Sequence, residues 1–153
     1  MADAEALLEM GRSMHAESPS YRVEPFDDDM VREQVAAFLA PQADGRALLL
    51  IAARDGRAVG MAAVFVAQHW FGPGRYVTDR VVYVRPENRG GSTFPRLVRA
   101  IEAWARGIGV PRVAIGVSTG VHTEQTVRAY QQLGYQLEPT RVVTRTLDHV
   151  HRT

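Results

Sequence analysis

Residues 81–97 read Val81-Val82-Tyr83-Val84-Arg85-Pro86-Glu87-Asn88-Arg89-Gly90-Gly91-Ser92-Thr93-Phe94-Pro95-Arg96-Leu97, and this stretch decides the fold. Val81 to Val84 is a β-branched and aromatic run, which favours a buried strand. Pro86 pushes Arg85 into an extended conformation and ends the ladder. Gly90-Gly91 lets the backbone turn and lets other atoms come close. Ser92 or Thr93 can N-cap a helix, and Pro95 is tolerated in a first helical turn. Leu97, Ile101, Trp104 and Ile108 then repeat at helical spacing. A strand that feeds a glycine loop and a helix start gathers free N–H groups at one spot, which suits a phosphate. The plainer reading is a βα turn whose glycines serve geometry alone.

The elements on either side obey the same rules. Ala4 to Ala16 carries Leu7, Leu8, Met10 and Met14 and predicts an amphipathic helix with Asp3 as its N-cap. Ser18-Pro19-Ser20 breaks it. Asp27 to Ala40 predicts a second helix, with acids in its first turn and Val31, Val35, Phe38 and Leu39 on one face. Pro41 to Gly45 reads as a loop. Ala47 to Arg54 and Ala58 to His69 predict strands joined by an Asp55-Gly56 hairpin turn. Tyr76 to Val84 predicts the next strand and Thr93 to Ile108 the long helix, capped by Gly109. Arg112 to Val117 is expected as a strand and Thr123 to Leu133 as a helix ended by Gly134. Tyr135 to Leu137 and Val142 to Leu147 are expected as closing strands. The order ααβββαβαββ is an α+β layout around one mixed sheet.

The chain has 153 residues, the size of one domain, expected to span 1–153. Its 46% hydrophobic and 23% charged residues are those of a globular protein, and a net charge of +1 gives no reason to expect bulk nucleic acid as a partner. The longest apolar stretch, Ala58 to Ala67, is too short for a membrane span. Met1 is followed by acidic residues rather than a leader pattern, so a cytoplasmic location is expected. With no cysteine there is no disulfide, thiolate metal site or Cys nucleophile. All 18 basic residues are arginine, so no side-chain amine is available for a Schiff base. His15, His69 and His122 share no metal-ligand spacing, and no metal is expected.

A second stretch matters for function: Thr123-Glu124-Gln125-Thr126, then Tyr130, then Leu133-Gly134-Tyr135. Together with Val82, Val84, Pro86, Arg89 and Gly90, it resembles the GNAT superfamily of N-acetyltransferases. In that family a strand ending in valine and proline leads into an Arg-Gly-rich loop that wraps the pyrophosphate of CoA. A later helix brings a tyrosine and a Leu-Gly-aromatic end. The resemblance covers nearly the whole chain after the first few residues. Its Arg-Gly-Gly-Ser text is closest to a subset of bacterial and phage members. The family usually opens with a strand before the first helix. Here that strand is missing or very short, which leaves the next strand at a sheet edge.

The resemblance implies a single-domain α+β fold with a mixed, mostly antiparallel sheet flanked by helices. It implies acetyl-CoA as acyl donor, held by Val82, Tyr83, Val84, Arg89, Gly90, Gly91, Ser92, Thr93 and Phe94. The family loop places glycines where this chain has Ser92 and Phe94. Phe94 either crowds the pyrophosphate or points into the core. Tyr130 matches the family's general acid, with a core aromatic as the alternative. Asp79, in an apolar strand where some members keep a carboxylate, is the candidate base, with an ion pair to Arg80 or another arginine as the alternative. Period-two alternation puts Asp79, Val81 and Tyr83 on one face. Arg89 is expected on phosphate, or as a solvated loop arginine. The function implied is acetyl transfer to a primary amine, on a small molecule or a peptide, by direct attack in a ternary complex. A non-catalytic acyl-CoA-binding or regulatory module is the alternative. No nucleic acid or membrane partner is expected, and a homodimer is one open oligomeric state.

Overall fold

The structure is a computed structural model and describes residues 2–140 and 142–145. Its elements are α1 (Ala2–Glu17), α2 (Asp28–Ala43), β1 (Ala47–Arg54), β2 (Arg57–Gln68), β3 (Arg75–Val84), α3 (Thr93–Gly107), β4 (Val113–Ala114) and α4 (Thr123–Gln132). A short 3-10 turn, Pro86–Asn88, links β3 to the glycine loop. The four strands form one sheet in the order β1-β2-β3-β4. The first two pairings are antiparallel and β3–β4 is parallel. This is the expected α+β fold, opening on a helix and with β1 at the sheet edge.

Alternation along the strands builds two layers. Ala62, Val64, Val77 and Val84 pack with Leu97, Ile101 and Ala105 of α3 on one face. Met61 and Tyr83 pack with Leu7 and Met10 of α1 on the other, with Val35 of α2 at the margin. Asp55 and Gly56 take φ values of 51° and 75°, the positive pair that a two-residue hairpin turn requires. Gly60 is needed for close approach, because a Cβ there would stand 3.2 Å from Leu97 and 3.3 Å from Thr93. The first turn of α3 is thereby held tight on β2. Arg85 is buried and donates to the Ala58 carbonyl at 2.8 Å and to Glu9 at 3.0 Å, tying α1 to the ends of β2 and β3.

Several expectations are corrected. Asp3 lies inside the first turn of α1 rather than at its cap. The second helix runs on through Pro41 to Ala43, so the loop there begins later. Its start is capped by Asp27, whose carboxylate accepts the Met30 N–H at 2.9 Å. The strand expected over Arg112 to Val117 shrinks to two residues. Tyr135 to Leu137 forms no strand, because the Tyr135 N–H closes the end of α4 on the Tyr130 carbonyl at 3.1 Å. Residues 142–145 are not a strand either, and Thr146 and Leu147 lie outside the described residues.

The alternation expected along β3 is also broken. Val64 pairs with Asp79 but Ala63 pairs with Val81, so Arg80 is an inserted residue in a β-bulge. The bulge reverses the parity of the strand. Asp79 shares a face with its partner Val64, on the α3 side. Val81 and Tyr83 belong to the α1 side.

Candidate active site

The loop after β3 is built to present backbone donors. Gly90 takes φ 78°, which turns the chain into α3 without side-chain strain. Ser92 stands at the N-cap position, yet its hydroxyl makes no capping bond. The N–H groups of Gly90, Gly91, Ser92, Thr93 and Phe94 donate to no described protein atom. Five successive donors at a helix N-terminus, with space open around Gly90, match the chemistry of a pyrophosphate. No acidic side chain occupies the first turn of α3 to oppose it.

Phe94 does not stand over these donors. Its half-buried ring packs against the α3-side core and meets Tyr130 edge-on, with centroids 4.8 Å apart. Arg89 is also engaged elsewhere. It donates to the Val84 carbonyl at 2.9 Å, pairs with Glu17 at the end of α1, and lies over the Tyr83 ring at 5.6 Å. Tyr83 is buried on the α1 side, and its hydroxyl has no hydrogen-bond partner among the described residues. Burial, then the Glu17 charge, pushes that phenol up. The side chains of Val82 and Val84 are spent in the core. What β3 can offer a ligand here is its backbone.

That backbone is open because β3 and β4 part company early. Their ladder consists of Val77 with Val113 and Thr78 with Ala114, and it goes no further. From Asp79 onward β3 makes no ladder with β4 among the described residues. Asp79 sits where the strands diverge, and its Oδ1 accepts the Gly116 N–H at 2.7 Å. The carboxylate thus takes a bond that a longer ladder would have made with backbone. No arginine pairs with it among the described residues, so the expected alternative of a salt bridge is absent. Burial raises Asp79 above the usual carboxylate range, and the Gly116 N–H partly offsets this.

Tyr130 is the buried residue of α4. Its ring touches Phe94 and, at 5.3 Å, Tyr135, both edge-on. Its hydroxyl makes no hydrogen bond among the described residues. Burial, then the nearby charge of Asp79, holds the phenol well above the ordinary tyrosine range. The structure therefore brings together two residues far apart in sequence, a carboxyl that resists ionising and a phenol that resists it more.

The turn after α1 meets the loop that follows β4. Ser18 is buried and bonds the Thr119 carbonyl at 2.5 Å, and the Tyr21 hydroxyl meets Ser118 at 2.9 Å. These contacts fix the turn against the loop that comes after β4. Neither this pairing nor the bulge at Arg80 is read from the sequence. The adjacent polar pair Asp79-Arg80 in an apolar strand is the signal for the bulge; nothing local marks Ser18. His15 contacts the Glu24 carbonyl at 2.7 Å, and His69 lies on Tyr76. Trp70 is 91% exposed. Among the described residues, no helix is long and apolar enough to cross a membrane.

Comparison with known proteins agrees with this geometry. The chain aligns along nearly its full length with solved structures at low identity, which speaks to the fold alone. AAC(6')-Iy in complex with a CoA-S-monomethyl-acetylneamine bisubstrate analogue matches with a TM-score of 0.73 and 20% identity, covering 97% of this chain and 93% of that one. The aminoglycoside 6'-N-acetyltransferase AAC(6')-IG of Acinetobacter haemolyticus matches with a TM-score of 0.72 and 18% identity, covering 96% and 94%. A ribosomal-protein-alanine N-acetyltransferase of Brucella melitensis matches with a TM-score of 0.69 and 18% identity, covering 95% and 93%. Among curated proteins, none matches the sequence. The model of the acetyltransferase (GNAT) family matches residues 11–135, which takes in α1 from its middle, Asp79, the glycine loop and α4, and the chain belongs to that family.

Proposed function

We propose that the protein is an acyl-CoA-dependent N-acetyltransferase that moves acetyl from acetyl-CoA to a primary amine by direct attack in a ternary complex. One observation carries this: the N–H groups from Gly90 to Phe94, unpaired among the described residues, follow a strand whose pairing with β4 stops at Thr78. The loop donors hold the pyrophosphate, and the open edge of β3 beyond Asp79 lies beside the acyl-bearing arm. Acetyl-CoA supplies the acetyl group as an activated thioester. The absence of cysteine removes an acyl-enzyme through a thiol, which supports direct attack.

Asp79 takes the proton from the attacking amine. Burial raises its pKa, which makes it a better base than an ordinary carboxylate. Tyr130 donates its hydroxyl to the departing sulfur. A phenol pushed above its usual range stays protonated and acts by hydrogen bonding to developing charge rather than by full transfer. Holding the amine against the thioester accounts for much of the remaining acceleration. Phe94 faces Tyr130, which removes the steric reason for a module that merely binds acyl-CoA without turnover. The similar structures act, by their names, on aminoglycosides and on a ribosomal-protein alanine, so both small-molecule and peptide amines belong in an acceptor panel. Thiol release from acetyl-CoA, followed across such a panel, tests the proposal. Calorimetric titration with no CoA binding at millimolar concentration would overturn it.

A further inference from the structure

The end of α1 reaches both of the loops on which the proposed chemistry depends. Glu17 is the last residue of α1, and Ser18 follows it directly. The Glu17 carboxylate takes both terminal nitrogens of Arg89, one of them at 3.1 Å, and Arg89 adjoins the first glycine of the glycine loop. Ser18, fully buried, donates to the Thr119 carbonyl at 2.5 Å, three residues beyond the Gly116 N–H that holds Asp79. Two adjacent residues thus bond partners 72 and 101 positions away, in loops that follow two different strands. Those strands have no direct tie there. The β3–β4 ladder stops at Thr78 and Ala114. Past the Asp79–Gly116 bond, no hydrogen bond or ion pair joins residues 80–92 to residues 117–122 among the described residues. Both ends of the link are themselves held. Glu17 and Arg89 keep 24% and 33% of their side-chain exposure, so water screens them less than it does an open surface pair. The Val84 carbonyl and the Tyr83 ring fix Arg89 in turn. At the other end, the Ser18 hydroxyl accepts the Tyr21 N–H at 3.2 Å, and a Cβ at Gly120 would stand 3.3 Å from Ser20 Oγ.

We propose that Glu17 and Ser18 are positioning residues for acetyl transfer, which together strap the glycine loop to the loop after β4 and so set the acyl donor against Asp79. The assignment rests on the acetyl-transfer reading above. It gives Arg89 the task of an anchor in place of a phosphate contact. Transfer between two bound molecules is steep in distance, and a displacement of about 1 Å can cost about 100-fold in rate. The sheet alone does not hold that distance, because its ladder has already ended. Cutting the strap at either end releases the same separation, so two cuts should not compound.

The test is a double-mutant cycle on the full chain, with Glu17→Gln, Ser18→Ala and the two together. Single-turnover acetyl transfer to a good amine and calorimetric titration of CoA give the two readouts. Each single variant should slow transfer roughly 10- to 100-fold while CoA affinity changes by less than about 3-fold. The double variant should be about as slow as the slower single one, whereas residues acting separately multiply their losses. Arg89→Met should match Glu17→Gln in both readouts. Thermal melts show that each variant is folded at the assay temperature. If Ser18→Ala is not, Tyr21→Phe, which removes the bond to Ser118, takes its place in the cycle. Unaltered transfer rates in the single variants overturn the proposal, and so does a double variant whose loss is the product of the two. A loss of CoA affinity of about 10-fold or more in Arg89→Met but not in Glu17→Gln makes Arg89 a phosphate ligand and overturns it too. Transfer to no amine by the unaltered protein is a different result, and refutes the acetyl-transfer reading itself.

Discussion

Tyr130→Phe should separate fold from chemistry at the proposed site. The substitution keeps the ring and its edge-on contacts with Phe94 and Tyr135, at 4.8 and 5.3 Å. It removes a hydroxyl that makes no hydrogen bond among the described residues, so no partner is stranded. Stability should change by less than about 0.5 kcal/mol, whereas Tyr130→Ala, which empties a buried aromatic site, should lose about 3–5 kcal/mol. The catalytic cost is set by the hydroxyl as donor. A positioned general acid is worth about 10²- to 10⁴-fold. Because burial and Asp79 make this phenol a weaker acid than usual, the loss should fall toward the lower end, about 10²- to 10³-fold, or about 3–4 kcal/mol in the barrier. Denaturant melts give the first quantity and single-turnover acetyl transfer to a good amine gives the second. CoA affinity should be unchanged. An unaltered single-turnover rate returns Tyr130 to a purely packing role. A stability loss above about 1.5 kcal/mol shows instead that the hydroxyl holds the fold.

Asp79→Asn should abolish the acid limb of the rate profile, which in the unaltered protein should lie above the ordinary carboxylate value of about 3.9. The sign on stability is the reverse of a salt-bridged carboxylate. Burial makes the folded form hold this proton more tightly, so stability declines as pH rises through the raised pKa, and the Asn variant should lack that decline. A variant that keeps both the limb and the rate shows that water serves as the base. Phe94→Gly should cost roughly 3 kcal/mol in denaturant melts, from half a buried aromatic plus glycine in a helix, without tightening CoA binding; tighter binding would place the ring over the phosphates after all. Gly90→Val forces a β-branched side chain to φ 78°, and should weaken CoA binding at least 10-fold by calorimetry while costing about 1–2 kcal/mol. Unchanged affinity there would remove the loop from the binding site.

Much of the site is legible in local sequence. Strand, proline, glycine pair and helix start each come from a residue's own steric rules, so residues 81–97 announce the βα loop and its donors. The hairpin at Asp55-Gly56 and the glycine stops after α3 and α4 are equally local, because a positive φ is a property of one or two residues. Family resemblance supplies the roles of Tyr130 and Asp79, which no spacing alone could give.

Tertiary structure decided the rest. Alternation places Asp79 on the wrong face because it assumes an unbroken ladder, and a bulge depends on how two strands register against each other. The truncated β4 has the same origin: a strand's length is set by whether a neighbour stays beside it, and here Asp79 takes the Gly116 N–H that would have continued the pairing. Phe94 could be read from its sequence position as crowding phosphate or entering the core. Only the packing of α4 against α3 turned it toward Tyr130. Arg89 found Glu17, 72 residues away, and Arg54 of β1 came to line one cavity with Arg96 of α3. Local rules fix what each backbone segment can become. Which side chains meet is set by long-range packing, where burial and charge act between residues that the chain itself keeps far apart.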